Sequence, residues 1–356
     1  MFGQVLAADL QAIVQALGAQ AHKLSGKTLL VSGSSGFLGR HFLLALQHLN
    51  QHVLAKPCKV IAIDSSIVGT GLNTFGELYD LNFTHITTDI CAPLSLDLKV
   101  DYIVHMAGIA SPVYYTKFPL ETIRAAVHGT ENLLEFARSQ QLHKFLVFSS
   151  SEIYGDPPDH AIPTPETYMG QVSTLGPRAC YDESKRMSET LAITYQRLFG
   201  IPVQIIRPFN VYGPGMRPDD RRVVPQFLTC ALRDEPLPVH GHGLQTRSYC
   251  YISDAITGFL QVMLAEHGAQ VHNIGNPHEV SLNELAQAVC ALVQTAVIAK
   301  IPYPDGYPNE EPMRRCPDIS LARSELGYAP QVSLSDGLQR TLIWFKHSHE
   351  QDKMQT

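Results

Sequence analysis

Cysteine patterns that build disulfide frameworks or zinc sites are missing from this sequence. Its seven cysteines are odd in number, lie far apart and include no C-x-x-C pair. This usage favours free thiols in a reducing cytoplasm. His240 and His242 form the tightest histidine pair, but they lie in a Gly-rich turn with no third ligand nearby. We therefore expect a solvated loop there and no metal site, because a metal needs a fuller ligand set than this pair supplies.

Long apolar runs and basic runs are also missing. No stretch approaches the length of a membrane span, and acidic and basic residues are mixed along a chain of net charge −6. These absences argue against a membrane or nucleic-acid partner. With 356 residues, 45% of them hydrophobic, the chain can bury a sizeable core in two domains or one large α/β unit.

The start of the chain lacks the charged segment of a signal peptide, since its first 20 residues contain no Lys or Arg. Apolar residues recur there at helical spacing instead. This pattern predicts an amphipathic helix within an extension spanning 1–26. We expect the helix to pack on the main body or on a partner subunit.

From Lys27 onward, short apolar β-rich runs alternate with helical segments. Buried strands joined by helices are typical of an α/β fold with a doubly wound parallel sheet, the Rossmann arrangement. The predicted strands are 28–32, 59–64, 85–89, 102–105, 145–149 and 203–207, with helices at 37–50 and 118–140 and another helix that carries Tyr181 and Lys185.

After Pro208 the composition changes, because prolines and glycines become frequent. The change predicts a smaller, interleaved α/β substrate-binding domain over the carboxyl ends of the strands, where open α/β sheets bind ligands. The expected division assigns 27–207 to the nucleotide-binding domain, with 245–275 returning to it, 208–244 and 276–346 to the substrate domain, and 347–356 to a tail.

A glycine-rich turn follows the first predicted strand directly and opens a helix. One glycine allows the tight turn, one lets the backbone approach a pyrophosphate, and one lets helix and strand pack closely. The helix N-terminus then faces the phosphates. The pattern predicts a dinucleotide site formed by Gly33, Gly36, Phe37, Leu38 and Gly39.

Three further positions are candidates for the same site. Asp64 ends the second strand, where a carboxylate accepts hydrogen bonds from a ribose and repels a 2′-phosphate, which favours NAD over NADP. Asp89 ends the third predicted strand and, with Ile90, is a candidate for the adenine end. Ala107 follows the fourth strand, where the backbone can approach the cofactor. The alternatives are a surface carboxylate and a plain strand-to-loop turn.

Tyr181 and Lys185 lie four residues apart, so on a helix they share one face. A Lys ammonium near a phenol favours the phenolate, which is expected to lower the pKa of Tyr181 from its usual value of about 10. Tyr181 is therefore a candidate general base for a sugar hydroxyl.

Together these motifs resemble the extended short-chain dehydrogenase/reductase family of nucleotide-sugar enzymes, over roughly residues 27–345. Besides the glycine turn and the Tyr181/Lys185 pair, the matching stretch Arg207-Pro-Phe-Asn-Val-Tyr-Gly-Pro supports the likeness. The resemblance implies a tightly held NAD that oxidises a sugar hydroxyl. It also implies that Lys185 bonds the nicotinamide ribose, and that Ser150 or Ser151 helps to hold the sugar C4 oxygen.

Within that family the chain is most similar to the UDP-glucuronate decarboxylases. The matching stretches are 150–157, 176–183, 222–224, 245–249, 274–277 and 315–318. Related 4,6-dehydratases place an Asp, the acid that protonates the departing hydroxyl, where this chain has Ser151. Serine is too weak an acid for that role. Loss of water is therefore disfavoured, while Glu152 remains to handle a proton near C5.

The resemblance implies a mechanism that ends in UDP-xylose. Tyr181 takes the C4 hydroxyl proton while hydride moves to NAD. The resulting 4-keto sugar carries its carboxylate at C5, so it is a β-keto acid and loses CO₂ readily. Ser151 and Tyr181 would stabilise the enolate. Water held by Glu152 then protonates C5, and hydride returns to C4.

Five polar residues are candidates for the remaining substrate contacts. Arg178 and Arg247 suit the substrate carboxylate, because guanidinium matches carboxylate bidentately. Arg315 suits the UDP pyrophosphate, Asn210 an inner phosphate oxygen, and Arg222 belongs to a matching stretch. The alternative for each arginine is a surface salt bridge.

The sequence leaves other functions open. A nucleotide-sugar 4-epimerase or 4,6-dehydratase would share this fold, and so would a non-catalytic NAD-binding sensor, although retention of Tyr181 and Lys185 favours an enzyme. The resemblance implies a homodimer through helices at 121–140 and 181–199. The chain also departs from the decarboxylase pattern, with Gly215 in place of a common Arg, Ser248 in place of Ala and a varied loop at 108–112.

Overall fold

The computed structural model describes residues 2–65, 67, 80–94, 96–268, 270–303 and 312–355. The strands are β1 (Thr28–Ser32), β2 (Lys59–Asp64), β3 (Phe83–Thr87), β4 (Tyr102–His105), β5 (Lys144–Phe148), β6 (Val203–Pro208), β7 (Val211–Tyr212), β8 (Leu237–His240), β9 (Thr246–Ser248), β10 (Cys250–Tyr251), β11 (Val271–Ile274), β12 (Glu279–Ser281) and β13 (Ile298–Ile301). The α-helices are α1 (Phe2–Leu17), α2 (Phe37–His52), α3 (Pro112–Lys117), α4 (Pro119–Ala137), α5 (Ala179–Phe199), α6 (Val223–Leu232), α7 (Ile252–Leu264), α8 (Leu282–Leu292), α9 (Ser320–Leu326) and α10 (Leu334–Gln355).

A seven-stranded parallel sheet forms the centre of the described structure. Its strand order is β11-β6-β5-β4-β1-β2-β3. β1 pairs with β2 on one side and with β4 on the other. The chain therefore adds its first strands toward one edge of the sheet and its later strands toward the other. Ligands bind outside the carboxyl ends of the strands at such a switch point. The topology confirms the predicted doubly wound fold.

Both faces of the sheet are covered by helices because its strands are apolar on both sides. Leu29 and Val31 of β1 point into one core, which α2 and α7 complete. Leu30 points into the opposite core, together with Leu133 of α4 and Ala192 of α5. The sheet is therefore buried, and its carboxyl edge is left to carry the site.

Most predicted elements agree with the structure, and two differ. β3 lies two residues before the predicted 85–89. The predicted helix 118–140 corresponds to α4, which ends three residues earlier, while the short helix α3 lies before the predicted range. Pro119 explains where α4 begins, because proline has no N–H to continue a preceding helix but suits the first position of a new one.

The stretch 245–275 returns to the main sheet only in part. β11 pairs with β6 at the edge of the sheet. β9 pairs instead with β12, and β10 with β7, in two small ladders outside the sheet. The backbone N–H and C=O groups of these short strands form hydrogen bonds with neighbouring segments beyond the end of β6. The strands therefore do not have to pair within the central sheet.

The predicted N-terminal helix exists as α1 and packs on the main body. The carboxylate of Asp9, which is buried, accepts hydrogen bonds from the Tyr251 hydroxyl at 2.7 Å and from Arg340 Nη1 at 2.6 Å. Phe2 lies against Trp344 of α10, with ring centroids 4.9 Å apart. Among the described residues, no helix is long and apolar enough to cross a membrane.

Candidate active site

One cleft of about 840 Å³ runs along the carboxyl ends of the parallel strands. It gathers residues that are far apart in the sequence. Every predicted site residue lines this cleft: Gly33, Gly36, Phe37, Leu38, Gly39, Asp64, Asp89, Ile90, Ala107, Ser150, Ser151, Glu152, Arg178, Tyr181, Lys185, Asn210, Arg222, Arg247 and Arg315.

The glycine turn after β1 is packed too tightly for side chains. Gly33 has a positive φ of 75°, and a Cβ there would lie 2.6 Å from the backbone nitrogen of Ala107. A Cβ at Gly39 would collide with the carbonyl oxygen of Gly33. Gly36 precedes the first turn of α2, so free N–H groups face the cleft. This bare, donor-rich turn fits a pyrophosphate.

The acidic residues beside the turn are in suitable places for an adenosine. Asp64 ends β2, and its Oδ2 accepts a hydrogen bond from the Ser35 backbone N–H at 2.9 Å. Asp89 lies just beyond β3, where its Oδ1 accepts from the Cys91 N–H at 2.9 Å. The glycine turn and the Asp64 carboxylate together fit a dinucleotide without a 2′-phosphate, because a carboxylate repels that group.

Tyr181 and Lys185 occupy the first turns of α5, and both are buried. Lys185 Nζ donates a hydrogen bond to the Phe148 carbonyl at 2.7 Å and lies 6.0 Å from the centre of the Tyr181 ring. The ring of Tyr115 stacks on Tyr181 at 5.5 Å. The helix therefore presents both side chains to the cleft, as their spacing predicted.

The expected lowering of the Tyr181 pKa is wrong for the protein alone. Burial raises the pKa of Tyr181 above its ordinary value of 10, although a hydrogen bond with Ser150 and the charge of Arg222 oppose the rise. Burial also lowers the pKa of Lys185 to about 8. Removing water from both side chains disfavours the phenolate and the ammonium, and Lys185 directs its ammonium at a backbone carbonyl.

Glu152 lies in a short 3₁₀ helix, Ser151–Tyr154, that follows β5. Ser150 caps this turn by accepting a hydrogen bond from the Glu152 N–H at 3.2 Å. One carboxylate oxygen of Glu152 accepts a hydrogen bond from Arg178, and the other accepts from Arg315. Two guanidinium groups thus meet at this turn, where they compensate the Glu152 charge.

The other predicted substrate residues, Asn210, Arg222 and Arg247, are held by hydrogen bonds to neighbouring groups. Asn210 has a positive φ of 38°, and its Nδ2 donates to the Ser248 carbonyl at 3.1 Å. Arg247 Nη1 donates to the Thr246 carbonyl at 2.8 Å. Arg222 precedes α6 and donates to the Oδ2 of the Asp220 carboxylate through Nε at 2.9 Å and Nη2 at 2.6 Å.

Several cleft residues were missed by reasoning from the sequence. Tyr115 covers the face of Tyr181, and Asp220 holds Arg222, but neither carries a signal beyond proximity to a matching motif. The sequence predicts that His240 lies in a solvated loop. It lies at the end of β8, lines the cleft, and stacks on Tyr303 with ring centroids 5.9 Å apart.

Comparison with known proteins now adds to this geometry. The family model described as the NAD dependent epimerase/dehydratase family matches residues 29–275, which is more than half of the chain. The chain belongs to this family. Family membership confirms the resemblance drawn from the glycine turn and the Tyr181/Lys185 pair.

Individual relatives within the family are similar over most of the chain. UDP-glucuronic acid decarboxylase 2 of Arabidopsis thaliana is 41% identical over 318 residues, covering 89% of this chain and 67% of that protein. UDP-glucuronic acid decarboxylase 5 of the same plant is 40% identical over 314 residues, and the match covers 88% of this chain and 88% of that protein. UDP-glucuronic acid 4-epimerase from Bacillus cereus, solved with UDP-glucuronic acid and NAD, has a TM-score of 0.75 at 28% identity, covering 90% of this chain and 99% of the other.

Proposed function

We propose that this family member is an NAD-dependent lyase that decarboxylates UDP-glucuronate to UDP-xylose. The observation that carries the proposal is the 41% and 40% identity to UDP-glucuronic acid decarboxylases over nearly nine-tenths of the chain. Ser151 and Glu152 in the cleft support the same choice, because the site lacks the carboxylic acid that loss of water would need at position 151.

The glycine turn and the N-terminus of α2 would hold the pyrophosphate of NAD, and Asp64 would hold its adenosine ribose. Asp89, Ile90 and Ala107 complete the lining of this part of the cleft. When bound, NAD takes hydride from the sugar and later returns it. The Gly39 and Gly33 backbones support this placement, because they leave no room for side chains beneath the phosphates.

Tyr181 is the general base that removes the sugar hydroxyl proton. Two neighbours help it, since the Ser150 hydrogen bond and the Arg222 charge both oppose the rise in the Tyr181 pKa. Lys185 adds positive charge behind the ring and holds the cofactor ribose. Burial keeps water away from the phenol, which strengthens each of these electrostatic effects.

Arg178 and Arg315 form the anion site for the sugar carboxylate. Both guanidinium groups already bind a carboxylate, that of Glu152. The sequence predicts that Arg315 binds the pyrophosphate. Its contact with Glu152 supports a different assignment, in which Arg315 binds the carboxylate at the reacting end of the sugar. Glu152 directs the proton that reaches C5, and Ser151 donates to the oxygen on which charge develops. Asn210 and Arg222 serve the diphosphate, and Arg247 is a further candidate for the sugar carboxylate.

Incubation of the protein with NAD and UDP-glucuronate, followed by ¹³C NMR and CO₂ release, tests the proposal. UDP-xylose or its 4-keto form, with one CO₂ per sugar, supports decarboxylation. UDP-galacturonate without CO₂ would instead identify a 4-epimerase. Loss of water from a UDP-hexose would identify a dehydratase. No product and no NADH absorbance with any of these sugars would leave an NAD-binding sensor. Tyr181→Phe is the control for contaminating activity.

We also propose a homodimer in the cytoplasm. Large apolar side chains remain exposed on α4 and α5, which pack side by side: Leu120, Ile123, Met187, Leu198 and Phe199. Covering such a surface is a common reason for association. The seven cysteines are free thiols in the described structure, which suits a reducing compartment. Light scattering of the protein and of Met187→Glu tests the dimer, since the added charge should shift it toward monomer.

A further inference from the structure

The turn after β7 is held by two adjacent side chains of the cofactor helix α2. His41 Nε2 donates a hydrogen bond to the Pro214 carbonyl at 2.7 Å. Arg40 Nη2 donates to the next carbonyl, that of Gly215, at 3.1 Å. Consecutive donors on a helix thus meet consecutive acceptors on a turn that lies more than 170 residues further along the chain.

Both donors are almost fully buried, with Arg40 2% and His41 6% exposed. Burial lowers the pKa of His41 to about 4, so the ring is neutral near pH 7 and carries its proton on Nε2, where it meets the carbonyl. Burial lowers the pKa of Arg40 to about 10, so its guanidinium stays charged. Buried donors of this kind are costly to leave unpaired, which keeps the turn in place.

These donors lie within the first turns of the helix that faces the cofactor phosphates. The ring of Phe37, the first residue of α2, meets the His41 ring edge-on with centroids 5.4 Å apart. Phe37 also lines the cleft, as does Arg40. Direct contacts thus link the start of α2 to the two hydrogen bonds.

The same turn continues into a segment that faces the substrate side of the cleft; we call residues 213–222 the strap. Within it, Arg217 bonds Asp219 through Nε at 2.8 Å and Nη2 at 2.9 Å. The Tyr114 hydroxyl of α3 donates to Asp219 at 3.3 Å. At the end of the strap, Arg222 donates a hydrogen bond to the Asp220 carboxylate. The charge of Arg222 opposes the rise in the pKa of Tyr181.

The sequence of the turn fits this arrangement. Gly215 has a positive φ of 88°, which a side chain at this position would strain. The Gly215 backbone carbonyl accepts its hydrogen bond from the Arg40 guanidinium on α2.

We propose that Arg40 and His41 are positioning residues that couple the cofactor helix to the strap, so that NAD bound along α2 fixes Arg222 on the substrate side. The inference rests on the proposed function for the identity of both ligands. It adds that the sugar nucleotide binds more tightly once NAD is in place. By linkage, the sugar nucleotide tightens NAD by the same factor.

Hydrogen exchange of the strap, measured by mass spectrometry on the full-length protein with and without NAD, tests the coupling. In the wild type NAD should slow exchange across 213–222 at least about fivefold. Arg40→Met and His41→Leu should lose most of that protection and raise the Kd for UDP at saturating NAD about tenfold, which is the usual size of such couplings. Arg40→Lys and His41→Gln keep a donor and should recover part of both effects. His48→Gln, two turns along the same helix, is the matched control and should behave as the wild type.

Full protection of the strap by NAD in Arg40→Met and His41→Leu, with the UDP Kd within about twofold of wild type, would overturn the coupling. If these two variants do not fold, Arg40→Lys and His41→Gln replace them in the test. Both should have weakened hydrogen bonds to the strap, so unaltered protection and affinity in both would also overturn the coupling. Neither readout needs turnover. Wild-type protein that binds NAD and UDP but releases no CO₂ would contradict the proposed function while leaving the coupling intact.

Discussion

Asp182, the residue after Tyr181 on α5, is expected to destabilise the fold at neutral pH. Its side chain is buried, its Oδ2 lies 3.7 Å from Arg178 Nε, and its Oδ1 has no hydrogen-bond partner within the described part of the chain. Burial raises the pKa of Asp182 from 3.8 to about 6, although Arg178 and Arg315 oppose the rise. Asp182→Asn imitates the protonated form and should stabilise the protein.

The size of the gain follows from the pKa values. Because the folded-state pKa of Asp182 lies above the unfolded value, the folded protein binds more protons between pH 3.8 and about 6, and stability falls as the pH rises through that window. The difference between the folded and unfolded pKa values lowers the free energy of unfolding by about 3 kcal/mol at pH 8 and by about half of that at pH 5. Asp182→Asn should recover this free energy. For a chain of this length 3 kcal/mol corresponds to a rise in Tm of about 4 °C.

Thermal and urea unfolding of wild type and Asp182→Asn at pH 5 and pH 8 measure the effect. Glu183→Gln is the matched control, because Glu183 is the next residue on α5 but is only partly buried, with its carboxylate 3.7 Å from Arg186 Nε. It should change stability by less than about 0.5 kcal/mol at either pH. A destabilised Asp182→Asn at pH 8, or a gain of equal size at both pH values, would refute the argument that desolvation of the carboxylate dominates.

Three other substitutions test the site. Tyr181→Phe should lower kcat at least about 100-fold while the NAD Kd changes less than about twofold, because it removes only the base; normal turnover would exclude that role. Glu152→Gln should slow solvent-deuterium incorporation at C5, followed by NMR, and wild-type labelling would remove Glu152 from the proton path. Gly39→Ala should weaken NAD binding at least about tenfold by calorimetry, because its Cβ collides with the Gly33 carbonyl; Gly3→Ala, with nothing within 4 Å, is its control.

Elements with strong local signals were predictable. β1, β2 and β4 have the predicted bounds, because each is a short apolar run bounded by residues that end a strand. The glycine turn was also predictable, because steric exclusion of a Cβ is a property of glycine itself. The short helix α3 was not predicted, although Pro112 at its first position is a local signal for a helix start.

Electrostatic environments were not predictable from spacing. Tyr181 and Lys185 share a helix face, as expected, but the sequence does not say how much water reaches them. Burial raised the Tyr181 pKa against the expectation. The pairing of Glu152 with Arg178 and Arg315 joins three distant segments, so no local pattern could reveal it.

By itself the sequence determined the parallel α/β architecture, the dinucleotide turn and the Tyr181/Lys185 pair, because periodicity, glycine stereochemistry and helical spacing act over a few residues. Only the tertiary structure decided which charges meet and which lose their water. It brought two guanidinium groups to Glu152, and it joined Arg40 and His41 to carbonyls far along the chain. The physical reason is that desolvation and long-range hydrogen bonds depend on the packing of the whole sheet, which no short segment encodes.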